Sequence, residues 1–401
     1  MKRIYTLTLL LFTFFQLFSQ RRYDVRFPLD GHMRECIIVQ PSTPPPPGGY
    51  PIVYMLHGTS GDGEKFYNIS GWKELGEAEN FITVFPSSLS WCYVEDGIEK
   101  HNTRWVNGTV TESPCSGAPQ DYVDDVKFLK LLAKLISDSL PVNRSMIFAC
   151  GFSNGCSMIH KLSVDAGDVF AALAGSSSVL SQSDSARPIV RIPLWTMVGS
   201  LDDLFLVPPF TELPFGGDSI LGYLQTYIRR TLGCQGLEES FVKVQTDSLH
   251  TYQFLANKPG EVAAPYLFTL ARGMEHEFPN GTNYFFNGPR RFWEFFKKSV
   301  TVANSSINNG KAEVRIYPNP SKDDVFVDFL NFTDKSPIQI MIFNSIGQSL
   351  YCKKLAPTAV LQISRIELGE GLYFMQIHQG LKKSTQRFIL DCSAIKKQIR
   401  K

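Results

Sequence analysis

Gly151-Phe152-Ser153-Asn154-Gly155 presents a hydroxyl within the pattern G-x-S-x-G. The apolar run Ser145–Cys150 before it reads as a strand and Cys156–Val164 after it as a helix, so the serine falls at a strand-to-helix turn. Such a turn exposes the oxygen as a nucleophile, its glycines let strand and helix pass closely, and the helix N-terminus favours a developing oxyanion. A serine hydroxyl is a weak nucleophile until a general base takes its proton, and an acid must orient that base. In this arrangement both partners follow the serine along the chain.

Three histidines do so before residue 300: His160, His250 and His276. His160 lies in the helix after the serine and is expected to be a satisfied helical residue, while His250 sits among polar residues and is expected to be solvated. His276 follows a late strand, in Gly273-Met274-Glu275-His276-Glu277-Phe278-Pro279, and is the candidate base. The strand Pro193–Val198 runs into Gly199-Ser200-Leu201-Asp202-Asp203, so Asp202 or Asp203 is the candidate acid, although either also suits a turn. Two backbone donors must face the oxyanion. Asn154 supplies one, and Thr59 in His57-Gly58-Thr59-Ser60-Gly61, directly after the run ending at Leu56, is the candidate for the other. His57 precedes the serine and is expected to brace its loop.

Elements must position these residues. Pro51–Leu56, Phe81–Phe85, Ser145–Cys150, Pro193–Val198 and Tyr266–Leu270 read as buried strands, and their alternation with helical patterns implies a mostly parallel sheet with helices on both faces. Tyr122–Leu140 carries apolar residues at helical spacing, and Arg290–Val300, with Phe292, Trp293, Phe295 and Phe296, reads as a closing helix of core aromatics. Beyond an Asn/Ser/Gly-rich stretch, Val325–Phe329, Ile338–Phe343, Leu361–Ile363 and Gly371–Ile377 read as strands of a small all-β sandwich-like module. The expected organisation is a signal peptide over 1–20, a catalytic domain over 21–300, a linker over 301–311, the β-rich module over 312–392 and a basic tail over 393–401.

The first segment has Lys2 and Arg3 ahead of an apolar run from Leu7 to Phe18, the pattern of a secretory signal peptide, and no later segment is long enough to span a bilayer. Forty basic against 38 acidic residues give a net charge of +2, which gives no support to a nucleic-acid partner. Export implies an oxidising compartment, and Cys92 with Cys115, flanking one polar loop, are the expected disulfide. Cys150 is expected to be a buried thiol. The cysteines lack C-x-x-C spacing, and the chemistry above calls for no metal or cofactor.

Together with Leu56-His57-Gly58 and Asp124-Asp125-Val126, the serine, Val198–Asp202 and Gly273–Pro279 segments resemble, in order, the signatures of a secreted α/β-hydrolase group of polyhydroxybutyrate depolymerases, feruloyl esterases and acetylxylan esterases. The likeness covers about residues 25 to 300. It implies the α/β-hydrolase fold and a carboxylic ester hydrolase with Ser153 as nucleophile, Asp202 rather than Asp203 as acid and His276 as base. The chain departs from that group where Cys156 replaces a frequent glycine, Val198 a histidine, and Glu275-His276-Glu277-Phe278-Pro279 a Gly-His-x-Trp-Pro run. Tyr317-Pro318-Asn319-Pro320, Ile342–Gln348 and Gly371-Leu372-Tyr373-Phe374 resemble the C-terminal sorting domain of type IX secretion, from which the extension Asp391–Lys401 departs. That implies passage to the periplasm, engagement of the type IX machinery, and release or surface attachment. An acylated polysaccharide is the expected substrate, through feruloyl or acetyl esters. A polyhydroxybutyrate-type polyester, an amide, or a binding role on a degenerate scaffold are the alternatives.

Overall fold

In the computed structural model the described residues are 20–107, 113–118, 122–180, 187–188, 190–206, 222–246, 248–306, 313–319, 321, 324–330, 337–345, 347–356, 361–379 and 382–390. The expected signal peptide up to residue 19 and the basic tail lie outside them.

Alternating Tyr23, Val25, Phe27 and Leu29 turn one face of β1 (Arg21–Leu29) inward, and β1 pairs antiparallel with β2 (His32–Gln40). The run Tyr50–Leu56 forms β3, buried at every residue, as a strand covered on both faces must be. Helices α1 (Gly63–Ile69) and α2 (Trp72–Glu79) lead to β4 (Ile82–Pro86). The polar loop expected between Cys92 and Cys115 belongs to a small sheet of β5 (Ser90–Glu95), β6 (Ile98–Thr103) and β7 (Ser113–Pro114). The Cys92–Cys115 disulfide crosses it, as expected.

Helix α3 (Asp125–Ser139) starts where the Asp124 carboxylate accepts the Lys127 N–H at 2.9 Å. After it come β8 (Val142–Phe152), α4 (Asn154–Asp165), β9 (Ala172–Ser176), β10 (Leu194–Gly199), α5 (Gly222–Gln235), β11 (Val242–Gln245), β12 (Leu249–Phe254), β13 (Tyr266–Ala271) and α6 (Gly288–Ser306). The main sheet runs β1-β2-β4-β3-β8-β9-β10-β13-β12-β11, and strands β4, β3, β8, β9, β10 and β13 are mutually parallel. Its first eight strands, renumbered within the sheet, follow the order 1-2-4-3-5-6-7-8 with an antiparallel second strand, which is the α/β-hydrolase fold.

Apolar residues of α3, α4 and α5 cover one face of that sheet. Those of α1, α2 and α6 cover the other, where Phe296 stacks on Phe148 of β8 at 4.8 Å between ring centroids. Helix α6 continues through Ser306, six residues into the stretch expected to be linker. Once a helix is nucleated each added residue gains a backbone hydrogen bond, so Asn and Ser at its end slow propagation without stopping it at once.

In the C-terminal part, β14 (Glu313–Tyr317), β15 (Val325–Leu330) and β18 (Leu361–Ile363) form one sheet. A second consists of β16 (Ile338–Asn344), β17 (Ser349–Leu355), β19 (Gly371–Gln379) and β20 (Lys382–Leu390). Both contribute to one apolar core that includes Val325, Ile340, Leu361 and Met375, so the module is a sandwich.

One buried ion pair links the edge hairpin to α3. Arg34 of β2 donates through Nη2 to Asp125 Oδ1 at 2.6 Å, both side chains are at most 1% exposed, and the guanidinium lies 3.8 Å above the Phe128 ring centroid. Removing one partner leaves the other charge buried and uncompensated. Asp125→Ala is therefore expected to cost about 3–5 kcal/mol of unfolding free energy, and an Arg34→Met/Asp125→Leu pair to recover most of it. All five tryptophans lie between residues 72 and 293, so intrinsic fluorescence during urea unfolding reads this part of the chain and measures both effects.

Candidate active site

Ser153 closes β8 with φ 51° and ψ −120°, a backbone that L-residues adopt only when the surroundings impose it. Its N–H donates to Ser176 O at the end of β9, 2.9 Å away. Glycine is required on both sides, because a Cβ on Gly151 would lie 2.3 Å from Gly155 O and one on Gly155 2.3 Å from Leu56 O. Cys156 fits where a glycine is frequent in the resembled group, its sulfur held against Gly175 and facing Ser178 O at 3.6 Å.

The other two candidates arrive on the loops after β10 and β13, neighbouring parallel strands whose C-terminal ends lie together. These loops are joined by Leu201 N–H to Met274 O at 2.9 Å and by Gly273 N–H to Ser200 Oγ at 2.8 Å. His276 Nε2 then lies 2.9 Å from Ser153 Oγ, and His276 Nδ1 2.9 Å from Asp202 Oδ2. Asp202 is fully buried while Asp203 is exposed, so burial and contact separate two residues that turn propensity could not. The imidazole is 27% exposed and flanked by Phe152 at 5.3 Å and Phe205 at 6.4 Å between centroids. It is held in orientation yet open to a bound molecule on one side.

Asn154 is the first residue of α4, so its backbone N–H has no partner within the helix. The loop after β3 passes the serine closely, since a Cβ on Gly58 would approach Ser153 Cβ to 3.2 Å. Thr59 is exposed on that loop and, with Lys65, Phe66, Phe152, His276 and Phe278, lines a cavity of about 230 Å³. This geometry suits attack by an oxygen nucleophile on a carbonyl whose oxygen faces two N–H groups. It requires only side chains and backbone.

His57 is buried with Nδ1 2.7 Å from Gly58 O, and its Nε2 accepts the Ser88 N–H at 3.0 Å. Both nitrogens are used in bracing the loop, and burial lowers the imidazole pKa to about 4. His160 is buried too, with Nε2 3.0 Å from Thr196 Oγ1 but Nδ1 without a partner among the described residues, so it is only half satisfied. Burial lowers its pKa to about 3. His250, expected in solvent, is 5% exposed on β12, beside Arg272. Its polar neighbours in sequence face the other side of a strand whose alternation turns His250 inward. Trp105 and Asn107 also contact the loops of this site, and nothing in their local spacing marks them.

Residues 315–391 match the family model of the secretion system C-terminal sorting domain. The chain thus carries an export address and is secreted or held at the cell surface, in agreement with the type IX resemblance. Among the described residues no helix is long and apolar enough to cross a membrane. The chain is 27% identical over 165 residues to NocK of Nocardia uniformis subsp. tsuyamanensis, a protein whose name marks it as an esterase. The alignment covers 41% of this chain and 43% of that protein, so the chain spans less than half the length of the curated relative it matches. Similar solved structures include an acetyl xylan esterase from Aspergillus awamori, at 16% identity over 66% of this chain and 94% of that one, with TM-score 0.44. An S-formylglutathione hydrolase from Agrobacterium tumefaciens is similar at 9% identity, over 71% and 96% of the two chains, with TM-score 0.45. A feruloyl esterase module from Clostridium thermocellum is similar at 10% identity, over 70% and 88%, with TM-score 0.39.

The lowered pKa values of His57 and His160 have a consequence for pH. Their folded-state pKa values lie below the unfolded value of about 6.5, so the unfolded chain binds more protons as pH falls and stability declines. Between pH 6.5 and 5, above the usual carboxylate range, each site contributes a slope approaching about 1.4 kcal/mol per pH unit. The urea midpoint followed by fluorescence is expected to fall across that window, and His160→Gln to flatten the fall.

Proposed function

We propose that the chain is an exported serine carboxylic ester hydrolase that works through an acyl-enzyme, with feruloyl or acetyl esters of plant-type polysaccharides as its substrates. The observation that carries this reading is the line from Ser153 Oγ through the imidazole of His276 to the buried carboxylate of Asp202, with 2.9 Å at each contact. In the proposed sequence, the imidazole takes the Ser153 proton as the oxygen attacks the ester carbonyl. The Thr59 and Asn154 N–H groups hold the oxyanion, and the imidazolium, steadied by Asp202, returns the proton to the leaving alcohol. Water then repeats the steps on the acyl-serine and releases the acid. Nothing in these steps calls for a metal or cofactor.

The polysaccharide assignment is supported by the resemblance to acetylxylan and feruloyl esterases and by the export address, which brings the enzyme to polymers outside the cell. Short-chain p-nitrophenyl esters are expected to be hydrolysed. Ser153→Ala should lower kcat by about 10⁴-fold or more, and Asp202→Asn by about 10⁴-fold, with unchanged fluorescence-monitored unfolding. Absence of turnover by the parent chain would favour a binding role instead. Release of acetate or ferulate from acylated xylan distinguishes the proposed substrates, and cleavage of hydroxybutyrate oligomers without any action on acylated sugars would overturn them.

A further inference from the structure

Residues 102–107, the end of β6 and the stretch after it, contact both loops assigned to the oxyanion, and no step above uses them. On one side they hold the loop after β3. Ser60 N–H donates to Thr103 O at 3.0 Å, the Thr103 hydroxyl donates to Gly61 O, and the Trp105 indole N–H donates to His57 O at 2.9 Å. On the other side they hold the first turn of α4. Trp105 N–H donates to Asn154 Oδ1 at 2.7 Å, and Asn107 Nδ2 donates to Asn154 O at 3.3 Å. The segment is itself fixed from behind, where Val106 N–H donates to Asp125 Oδ2 at 2.8 Å, the carboxylate that Arg34 engages through its other oxygen. Trp105 is fully buried, and its ring lies 5.0 Å from that of His57.

Thr59 and Asn154 belong to separate elements 95 residues apart, and their N–H groups serve one oxygen only if their separation is set to a few tenths of an ångström. We infer that residues 102–107 are a strut that sets this separation, with Trp105 as its principal positioning residue for the proposed ester hydrolysis. The inference rests on the reading of Ser153 as nucleophile. It assigns Trp105 and the Asn154 side chain an effect on the transition state without any contact to substrate. The Trp105 indole N–H is aimed at the loop after β3, and its backbone N–H and C=O at the Asn154 side chain, the C=O accepting from Nδ2 at 3.4 Å, so removing the indole donor loosens one loop against the other while leaving His276 and Asp202 held by their own loop contacts.

The full-length enzyme tests this with Trp105→Phe, which keeps an aromatic ring and removes the indole donor, and with Asn154→Ala, which keeps the backbone N–H and removes the tie to Trp105. Active sites are counted by labelling to completion with a fluorophosphonate probe, and p-nitrophenyl acetate kinetics are expressed per labelled site. The expected result is a fall in kcat of about tenfold to a hundredfold in each variant, with KM within about twofold and the midpoint of the kcat/KM pH profile unmoved. Affinity for a trifluoromethyl ketone, which forms an oxyanion on the serine, should fall in proportion. Per-site kcat within about twofold of the parent in both variants, or a change confined to KM, would overturn the strut. Lowered stability with unchanged per-site kcat has the same meaning. A parent chain that is neither labelled nor active would remove the Ser153 reading and the strut together.

Discussion

A serine at φ 51°, ψ −120° pulls against its own backbone preferences by about 1–3 kcal/mol, and the surrounding sheet is built so that this conformation persists. The parallel register aligns Leu56, Gly151 and Gly175 across β3, β8 and β9, so three strand ends converge where the chain must turn. Phe152 and Ser176 are partners in that register, which brings Ser176 O to the Ser153 N–H. Helix α4 leaves at once from the turn, and its packing through Met158, Ile159 and Leu162 against the sheet prevents the backbone from relaxing. Without β3 and β9 on either side of β8, the turn would have neither its hydrogen bond nor the steric limit that demands glycine.

The same convergence gives the histidines near the serine different surroundings, and the proposed choice of base rests on that difference. His57 also stands at a strand end beside the serine, but the sheet and the Trp105 ring enclose it, and hydrogen bonds occupy both its nitrogens. An imidazole that must cycle between neutral and charged forms needs a carboxylate on one nitrogen and access on the other. His276 has Asp202 on Nδ1 and remains 27% exposed. The chain thus gives two imidazoles different surroundings, one desolvated and braced on both nitrogens, the other beside a buried carboxylate and partly open to solvent.

Central strands such as Pro51–Leu56 and Tyr266–Leu270 were legible in the sequence because burial on both faces demands a continuous apolar run. The serine turn was legible for a local reason, two glycines at fixed offsets between a strand and a helix. Strand β9, Ala-Leu-Ala-Gly-Ser, escaped because small residues carry little β signal, and it is the close packing around Cys156 and Ser153 that demands them small. Asp202 against Asp203 could not be separated from turn propensity, since the distinction lies in which side chain the turn directs inward. Trp105 was invisible for a different reason. Its partners stand 48 and 49 positions away, and only the fold brings them into contact.

Export places the chain where thiols tend to oxidise, yet among the described residues Cys36, Cys150, Cys156 and Cys234 are buried thiols outside any disulfide. Exchange and oxidation proceed through the thiolate, and burial disfavours that form: the Cys36 thiol is pushed up to about 12, and those of Cys150 and Cys156 are raised as well. Shielding by the core therefore does for these residues what pairing does for Cys92 and Cys115. The disulfide instead closes the segment that carries the small sheet β5-β6-β7 and Trp105, whose ring packs into the core of the main sheet. A covalent link reduces the conformations open to that segment when unfolded, and it adds to the burial of Trp91, Tyr93 and Trp105. Cysteine chemistry and packing thus act together at the site, with the serine and its helix held by the core and the strut held both by the core around Trp105 and by a cross-linked loop.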